Sequence, residues 1–201
     1  MTSMHRKPRI ATRILDSVAE LRTYSDRFVA NGGNPISLDY LRQSQVRGFY
    51  RDGELVGGFV LNRLPPFRYA DWVPEPTRTE LVREGYFDAR DSVEVSCFWM
   101  ARNGLQKIQR NGVYVRLVID AFRTGCRKII GGSVIPAAAR IQKQALPRRL
   151  YLGPTTVGPI GEVYTANRWE MLRNLIAAAA RTYSADLFGS ARKVHARRSR
   201  G

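Results

Sequence analysis

The chain reads as an α/β (α+β) protein with a mixed central sheet flanked by helices, and three stretches carry that reading. Residues 46–51 and 54–61 are apolar, β-branched runs joined by Asp52-Gly53, the dipeptide of a tight antiparallel hairpin. Residues 92–134 read strand, helix, strand: an apolar run at 92–101, a helical stripe of Tyr114, Leu117, Val118, Ala121 and Phe122 opened by Asn111 and closed by Gly125, then a second apolar run at 128–134. If those two strands are parallel, the connection is a right-handed strand-helix-strand crossover. Ser17 with Glu20 three residues later is a capping box, opening a helix whose apolar positions Val18, Leu21, Phe28 and Val29 run to Gly32-Gly33.

The remaining elements fill in around this frame. A short strand is predicted at 10–15, and Ser37 caps a brief helix carrying Leu38 and Leu41. Residues 64–76 hold four of the ten prolines together with Phe67, Tyr69 and Trp72, so they are predicted to pack over the body as a long loop. A helix follows at 77–86, and Pro136 opens another to about 145. Strands at 149–152 and 161–166 flank a Gly-Pro punctuated segment, 153–161, before a last helix at 169–187. The predicted division is a basic, flexible segment at 1–9, one domain at 10–189, and a basic disordered tail at 190–201.

Among 201 residues, 33 Lys+Arg face 17 Asp+Glu, a formal charge of +16 that implies a polyanionic partner. Arg6, Lys7, Arg9 and Arg13 precede the first acid, and Arg192, Lys193, Arg197, Arg198 and Arg200 follow the last; the body between them is still basic. Nucleic acid is one such partner, since PPFRYADW (65–72) interleaves aromatic and basic residues as base-stacking surfaces do. Cys97 and Cys126 have no C-x-x-C spacing, and His5 and His195 are terminal, which argues against a metal site or a disulfide framework and for a reducing, cytoplasmic location. No run of about 18 apolar residues is present, so no membrane span is expected.

Glu94 stands out as a carboxylate inside the apolar strand SVEVSCFWMA. Simple alternation puts Glu94, Ser96 and Phe98 on one face and Val93, Val95 and Cys97 on the other. A carboxylate against an apolar wall has its pKa raised toward working pH, which suits a general base; the alternative is a structural ion pair with one of the many arginines. Cys97, grouped with Val93 and Val95, reads as a buried, inert thiol.

The element order, together with three motifs, resembles the GNAT acyltransferase superfamily, and within it the autoinducer synthases and N-acyl amino acid synthases. GELVGGFVLN (53–62) is similar to the second hairpin strand of that fold, with its small-residue pair. EVSCFWMAR (94–102) resembles the autoinducer-synthase strand in Glu94 and Ser96, although Cys97 stands where those enzymes have Arg, and their acidic cluster is reduced to Asp39. QRNGVY (109–114) resembles the phosphate loop in Gln109 and Gly112, with Tyr114 in place of Gly or Ala. The resemblance implies an N-acyltransferase acting from an acyl-carrier-protein or acyl-CoA thioester onto a small-molecule amine, with no tightly bound cofactor. Glu94 would be the base, Ser96 a substrate or oxyanion contact, and Tyr151 (with Tyr164 second) a proton donor to the departing thiolate. Phe98, Trp99 and Met100 would line the acyl pocket, and Arg102, Lys107, Gln109, Arg110 and Gly112 would hold the phosphate. The tyrosine at 114 is expected to crowd a coenzyme A pyrophosphate, favouring the single phosphate of a carrier-protein arm. The alternative is a basic nucleic-acid-binding protein, or an acyltransferase acting on an RNA-linked substrate.

Overall fold

A computed structural model describes residues 10–101 and 105–178. In chain order the elements are β1 (Ala11–Leu15), α1 (Val18–Ala30), α2 (Leu38–Arg42), β2 (Gln45–Arg51), β3 (Glu54–Asn62), α3 (Thr77–Arg83), β4 (Ser92–Met100), α4 (Lys107–Arg123), β5 (Lys128–Ser133), α5 (Pro136–Ala145), β6 (Arg148–Thr155), β7 (Gly158–Asn167) and α6, residues 168–178. The predicted continuation of the last helix to 187, the 1–9 segment and the 190–201 tail lie outside the described residues.

The strands form one sheet in the order β1-β2-β3-β4-β5-β7-β6, antiparallel except for the β4–β5 pair. The hairpin turns on Asp52 (φ 53°) and Gly53 (φ 84°), two left-handed residues in succession, as a two-residue turn that matches strand twist requires. α4 links β4 to β5 as the predicted crossover, but it starts four residues before Asn111: Gln106 caps it, with its N–H donated to Gln109 Oε1 at 2.9 Å. Residues 153–161 likewise are not a separate segment. β6 and β7 pair continuously from Arg148–Thr165 to Thr155–Gly158, with the turn at 156–157, so the glycines and prolines sit within an irregular hairpin.

Two faces of the sheet are covered. On one, α4, α5 and α6 bury Val113, Val118, Ala121, Ala139, Leu146 and Met171 against Phe59, Val93, Val95, Ile129 and Tyr164. On the other, α1 and α2 set Leu21, Tyr24, Phe28, Tyr40 and Leu41 over Val46, Val60, Cys97 and Trp99. Beside them the 63–76 strap and α3 lay Phe67, Tyr69, Trp72, Val73 and Leu81 over Ile130 and Val163. Each large side chain so buried contributes roughly 1.5–3 kcal/mol. The α1 stripe is therefore Leu21, Tyr24 and Phe28; Val18 and Val29, expected in it, are exposed because they lie at its flanks. The aromatics of PPFRYADW are buried as well, Phe67 and Tyr69 each at 3% exposure and Trp72 at 6%, so they are core and cannot stack on bases.

Alternation along β4 breaks at a bulge. Val60 pairs with Ser96 but Gly58 pairs with Trp99, so β4 carries one residue more than β3 between those points, and Cys97 takes φ 51°. Cys97 consequently joins Trp99 in the α1–α2 core, away from Val93 and Val95, which corrects the simple alternation. Tyr24 Oη donates to the Cys97 carbonyl at 2.6 Å and holds this strained residue in place.

Besides its apolar face, α4 is fastened to the sheet by one buried charge cluster. Arg47 of β2 and Arg116 of α4 both pair with Asp120 of α4, the latter at 3.0 Å, with Arg47 and Asp120 almost fully buried. Asp120→Ala leaves the Arg47 guanidinium without an acidic partner, with only the Thr12 hydroxyl at 3.4 Å, and is expected to cost about 3–5 kcal/mol in urea unfolding, whereas Arg47→Met combined with Asp120→Leu should recover most of that loss.

Candidate active site

β4 and β5 hydrogen-bond as parallel neighbours at only four pairs, Ser92–Lys128, Val93–Ile129, Glu94–Ile130 and Val95–Gly131. β4 then runs on to Met100, still paired with β3, and β5 to Ser133, still paired with β7. The two strands part beyond Val95 and Gly131 and leave a fork whose inner edges have no partner strand. The bulge at Cys97 supplies a cause, because an extra residue bends a strand and increases its twist.

Glu94 lies one residue before the apex and is 0% exposed. Three elements converge on it. Ser37 caps α2 by accepting the Tyr40 N–H at 3.2 Å, which fixes Tyr40 in the first turn. Tyr40 Oη donates to Glu94 Oε2 at 2.6 Å and lies 2.6 Å from Ser96 Oγ. Asn62, which pairs with Glu94 on β3, turns its amide to the Leu64 and Pro66 carbonyls and so starts the strap over the site. The strap then donates two successive backbone N–H groups to the carboxylate, Arg68 N to Oε2 at 3.0 Å and Tyr69 N to Oε1 at 2.5 Å. Tyr69 Oη crosses the fork apex, donating to Gly132 O at 2.8 Å with Val95 O 3.3 Å away. The Arg68 guanidinium is turned to the carbonyls of Pro35 and Asn34, so the partners of Glu94 are a phenol and two peptide N–H groups, not the arginine side chain that an ion pair would need.

Burial is the largest influence on Glu94 and raises its pKa to about 7; the hydrogen bonds from Tyr40, Tyr69 N and Arg68 N and the charge of Arg68 pull the other way. The Tyr40 phenol is pushed well above its ordinary value, first by burial and then by the neighbouring Glu94 charge. Burial also pushes the Cys97 thiol up to about 11, so it is protonated at neutral pH.

Ser96 is the one other sequence-predicted catalytic residue brought to Glu94. Tyr151 is not: β6 lies three strands from β4, roughly 14 Å by strand spacing, and its hydroxyl donates to Pro154 O at 2.6 Å. Tyr164 faces the other side of the sheet, where its hydroxyl bonds Glu162. Phe98 and Met100 pack on the α4 side, Phe98 against the Tyr114 ring at 5.3 Å, while Trp99 points to the opposite face, edge-on to Tyr24. Tyr114 thus folds toward the sheet, and a Cβ at Gly112 would meet open space outside the helix's own backbone. Gln109, Arg110 and Gly112 lie in the first two turns of α4, which opens at Lys107, and not in a loop; Arg102 lies outside the described residues. Tyr40 was not singled out by the sequence as a site residue, and Arg68 and Tyr69 only within PPFRYADW as a nucleic-acid surface, not as partners of Glu94. Their only signals are the Ser37 cap that orients α2 and the proline density that marks the strap.

Among the described residues, no three His, Cys, Asp or Glu side chains cluster to hold a metal ion, and no helix is long and apolar enough to cross a membrane. No family model matches the chain and no curated protein matches it in sequence. Solved structures do. FeeM, an N-acyl amino acid synthase from uncultured soil microbes, superposes with a TM-score of 0.64 at 16% identity, covering 89% of this chain and 99% of FeeM. This is the GNAT fold. The AHL synthase LasI matches with a TM-score of 0.56 at 11% identity over 80% of this chain and 91% of its own. YncA from Salmonella typhimurium, solved with its cofactor acetyl-CoA, matches with a TM-score of 0.50 at 15% identity over 79% and 94%. The GNAT fold of this chain carries the same mixed sheet and flanking helices that the sequence predicts.

A buried carboxyl with a raised pKa links stability to pH. Because the folded form of Glu94 holds its proton up to about 7 while the unfolded form loses it near 4.5, its contribution is full below 4.5, is lost as pH rises to 7, and is level above. Urea unfolding of Glu94→Gln and the parent at pH 5 and pH 8 should show their stability difference moving in favour of the variant by on the order of 3 kcal/mol at the higher pH.

Proposed function

We propose that this chain is an N-acyltransferase, moving an acyl group from the thioester of an acyl carrier protein or of coenzyme A to a small-molecule amine. The observation that carries the reading is the β4–β5 fork with a buried carboxylate one residue before its apex, on a fold similar to FeeM, LasI and YncA. A phosphopantetheine arm carries two amides in an extended chain, and the unpaired edge of β4 past Val95 offers the backbone groups to pair with them. The thioester would then lie beside the bulge, within reach of Ser96. The first turn of α4, whose internal ladder begins with Arg110 N donating to Gln106 O, points its amino end toward the phosphate, and Arg110 adds charge there.

An attacking amine must be neutral and must lose a proton as the C–N bond forms. Glu94, with its pKa near neutrality, is the group that holds that proton in the intermediate; as the intermediate collapses and the C–S bond breaks, the proton is returned to the departing sulfur, giving a thiol and an amide and leaving Glu94 ionised again.

Incubating the purified protein with acyl-carrier-protein and acyl-CoA thioesters and a panel of amines, with product detection by mass spectrometry, is expected to give an amide that depends on the thioester. Glu94→Gln should lower kcat by about 10²–10⁴-fold. Absence of any thioester-dependent product across the panel rejects the assignment.

A further inference from the structure

Glu94 is completely enclosed, and its two oxygens already accept from Tyr40 Oη, Arg68 N and Tyr69 N. β4 is paired on both sides at Glu94, with Asn62 and with Ile130, so an amine entering the fork does not touch the carboxylate. Ser96 is buried as well, at 1% exposure, but it lies past the last β4–β5 pair, on the stretch of β4 whose β5 side is open, and so of Glu94, Tyr40 and Ser96 it is the one next to the fork.

Proton counting fixes the direction of the chain between them. Tyr40 has one hydroxyl hydrogen and gives it to ionised Glu94 at 2.6 Å, so the 2.6 Å contact to Ser96 must be a hydrogen bond donated by Ser96 Oγ to the Tyr40 oxygen. We propose that Ser96, Tyr40 and Glu94 form a reversible proton wire in which Tyr40 is the relay. This rests on the acyltransferase reading. As the amine nitrogen bonds the thioester carbon, its proton passes to Ser96 Oγ, the Ser96 proton passes to Tyr40, and the Tyr40 proton passes to Glu94 Oε2. The chain of donors is then reversed: Glu94 donates to Tyr40, Tyr40 to Ser96, and the outward proton of Ser96 goes to the sulfur as the C–S bond breaks. One proton moves from nitrogen to sulfur, and the three residues end as they began. The same wire supplies the proton donor that the sequence assigned to Tyr151, whose hydroxyl is tied to Pro154 O three strands away.

The groups facing Glu94 are Tyr40 from α2, Arg68 and Tyr69 from the strap, Asn62 from β3, and Ser96 and Cys97 from β4. Tyr40 is the member of this set that links Glu94 to the fork. The test is Tyr40→Phe, which keeps the packing and removes the relay oxygen. The expected result is a loss in kcat of about 10²–10³-fold with the thioester KM within about two-fold, and disappearance of the pH–rate limb near 7. Ser96→Ala should behave alike, and Ser96→Thr, which restores a hydroxyl, should regain most of the rate. An active parent with Tyr40→Phe at full rate and an unchanged limb overturns the wire while leaving the acyltransferase reading standing; a parent that makes no amide overturns both. A readout independent of turnover is the ¹³C NMR titration of Glu94: its midpoint should rise in Tyr40→Phe, which has lost a donor to the carboxylate, and an unchanged midpoint overturns the wire.

Discussion

Parallel pairing between β4 and β5 runs from Ser92–Lys128 to Val95–Gly131 and goes no further. Two constraints meet at that point. The crossover through α4 brings the strands together in parallel, and the bulge at Cys97 then bends β4 while β3 keeps hold of its other edge. Backbone groups at the inner edges of a sheet are left without ladder partners, a costly condition unless something else satisfies them. Tyr69 does so for Gly132 O from one side, and Gln142 of α5 donates to the same carbonyl at 3.1 Å from the other. A ligand with amides of its own can take over the rest.

The strap and the carboxylate depend on each other. Residues 63–76 contain too much proline for regular structure, so their buried N–H groups need acceptors that are not part of a ladder. Glu94 provides them for Arg68 and Tyr69, and in return those N–H groups, with Tyr40, offset part of the penalty of burying a carboxylate. The compromise is a group that changes charge near neutral pH. That makes one residue both the anchor of a loop and, in the proposed function, the base, and the two uses need the same burial.

The basic charge has a comparable double use. Arg47 and Arg116 share the single acid Asp120 and fasten α4 to β2, so part of the arginine excess is structural. Arg110 sits at the start of α4, at the end of the helix that is positively polarised. In the proposed function an anionic arm would be met by a helix that buried charge helps to hold and that carries exposed charge at its start.

Local chemistry made most of the fold legible from the chain itself. Ser17 and Glu20, Ser37, Asp52-Gly53 and Pro136 act over three or four residues, and each sets the element that the sequence predicts. Glu94 could be singled out because a carboxylate in an apolar strand is costly wherever the strand goes. Three things could not be read that way. The Cys97 bulge is a mismatch between two strands, so it reverses the expected face of Cys97 through pairing with β3 that no single segment encodes. The start of α4 at Lys107 overrode the asparagine at 111, since the helix gains its first turn by capping on Gln106. The company Glu94 keeps, Tyr40 from 54 positions before it and the backbone of Arg68 and Tyr69, exists only once α2, the strap and the fork are folded on the same face, because hydrogen bonds between distant residues depend on distance in space and leave no period in the sequence.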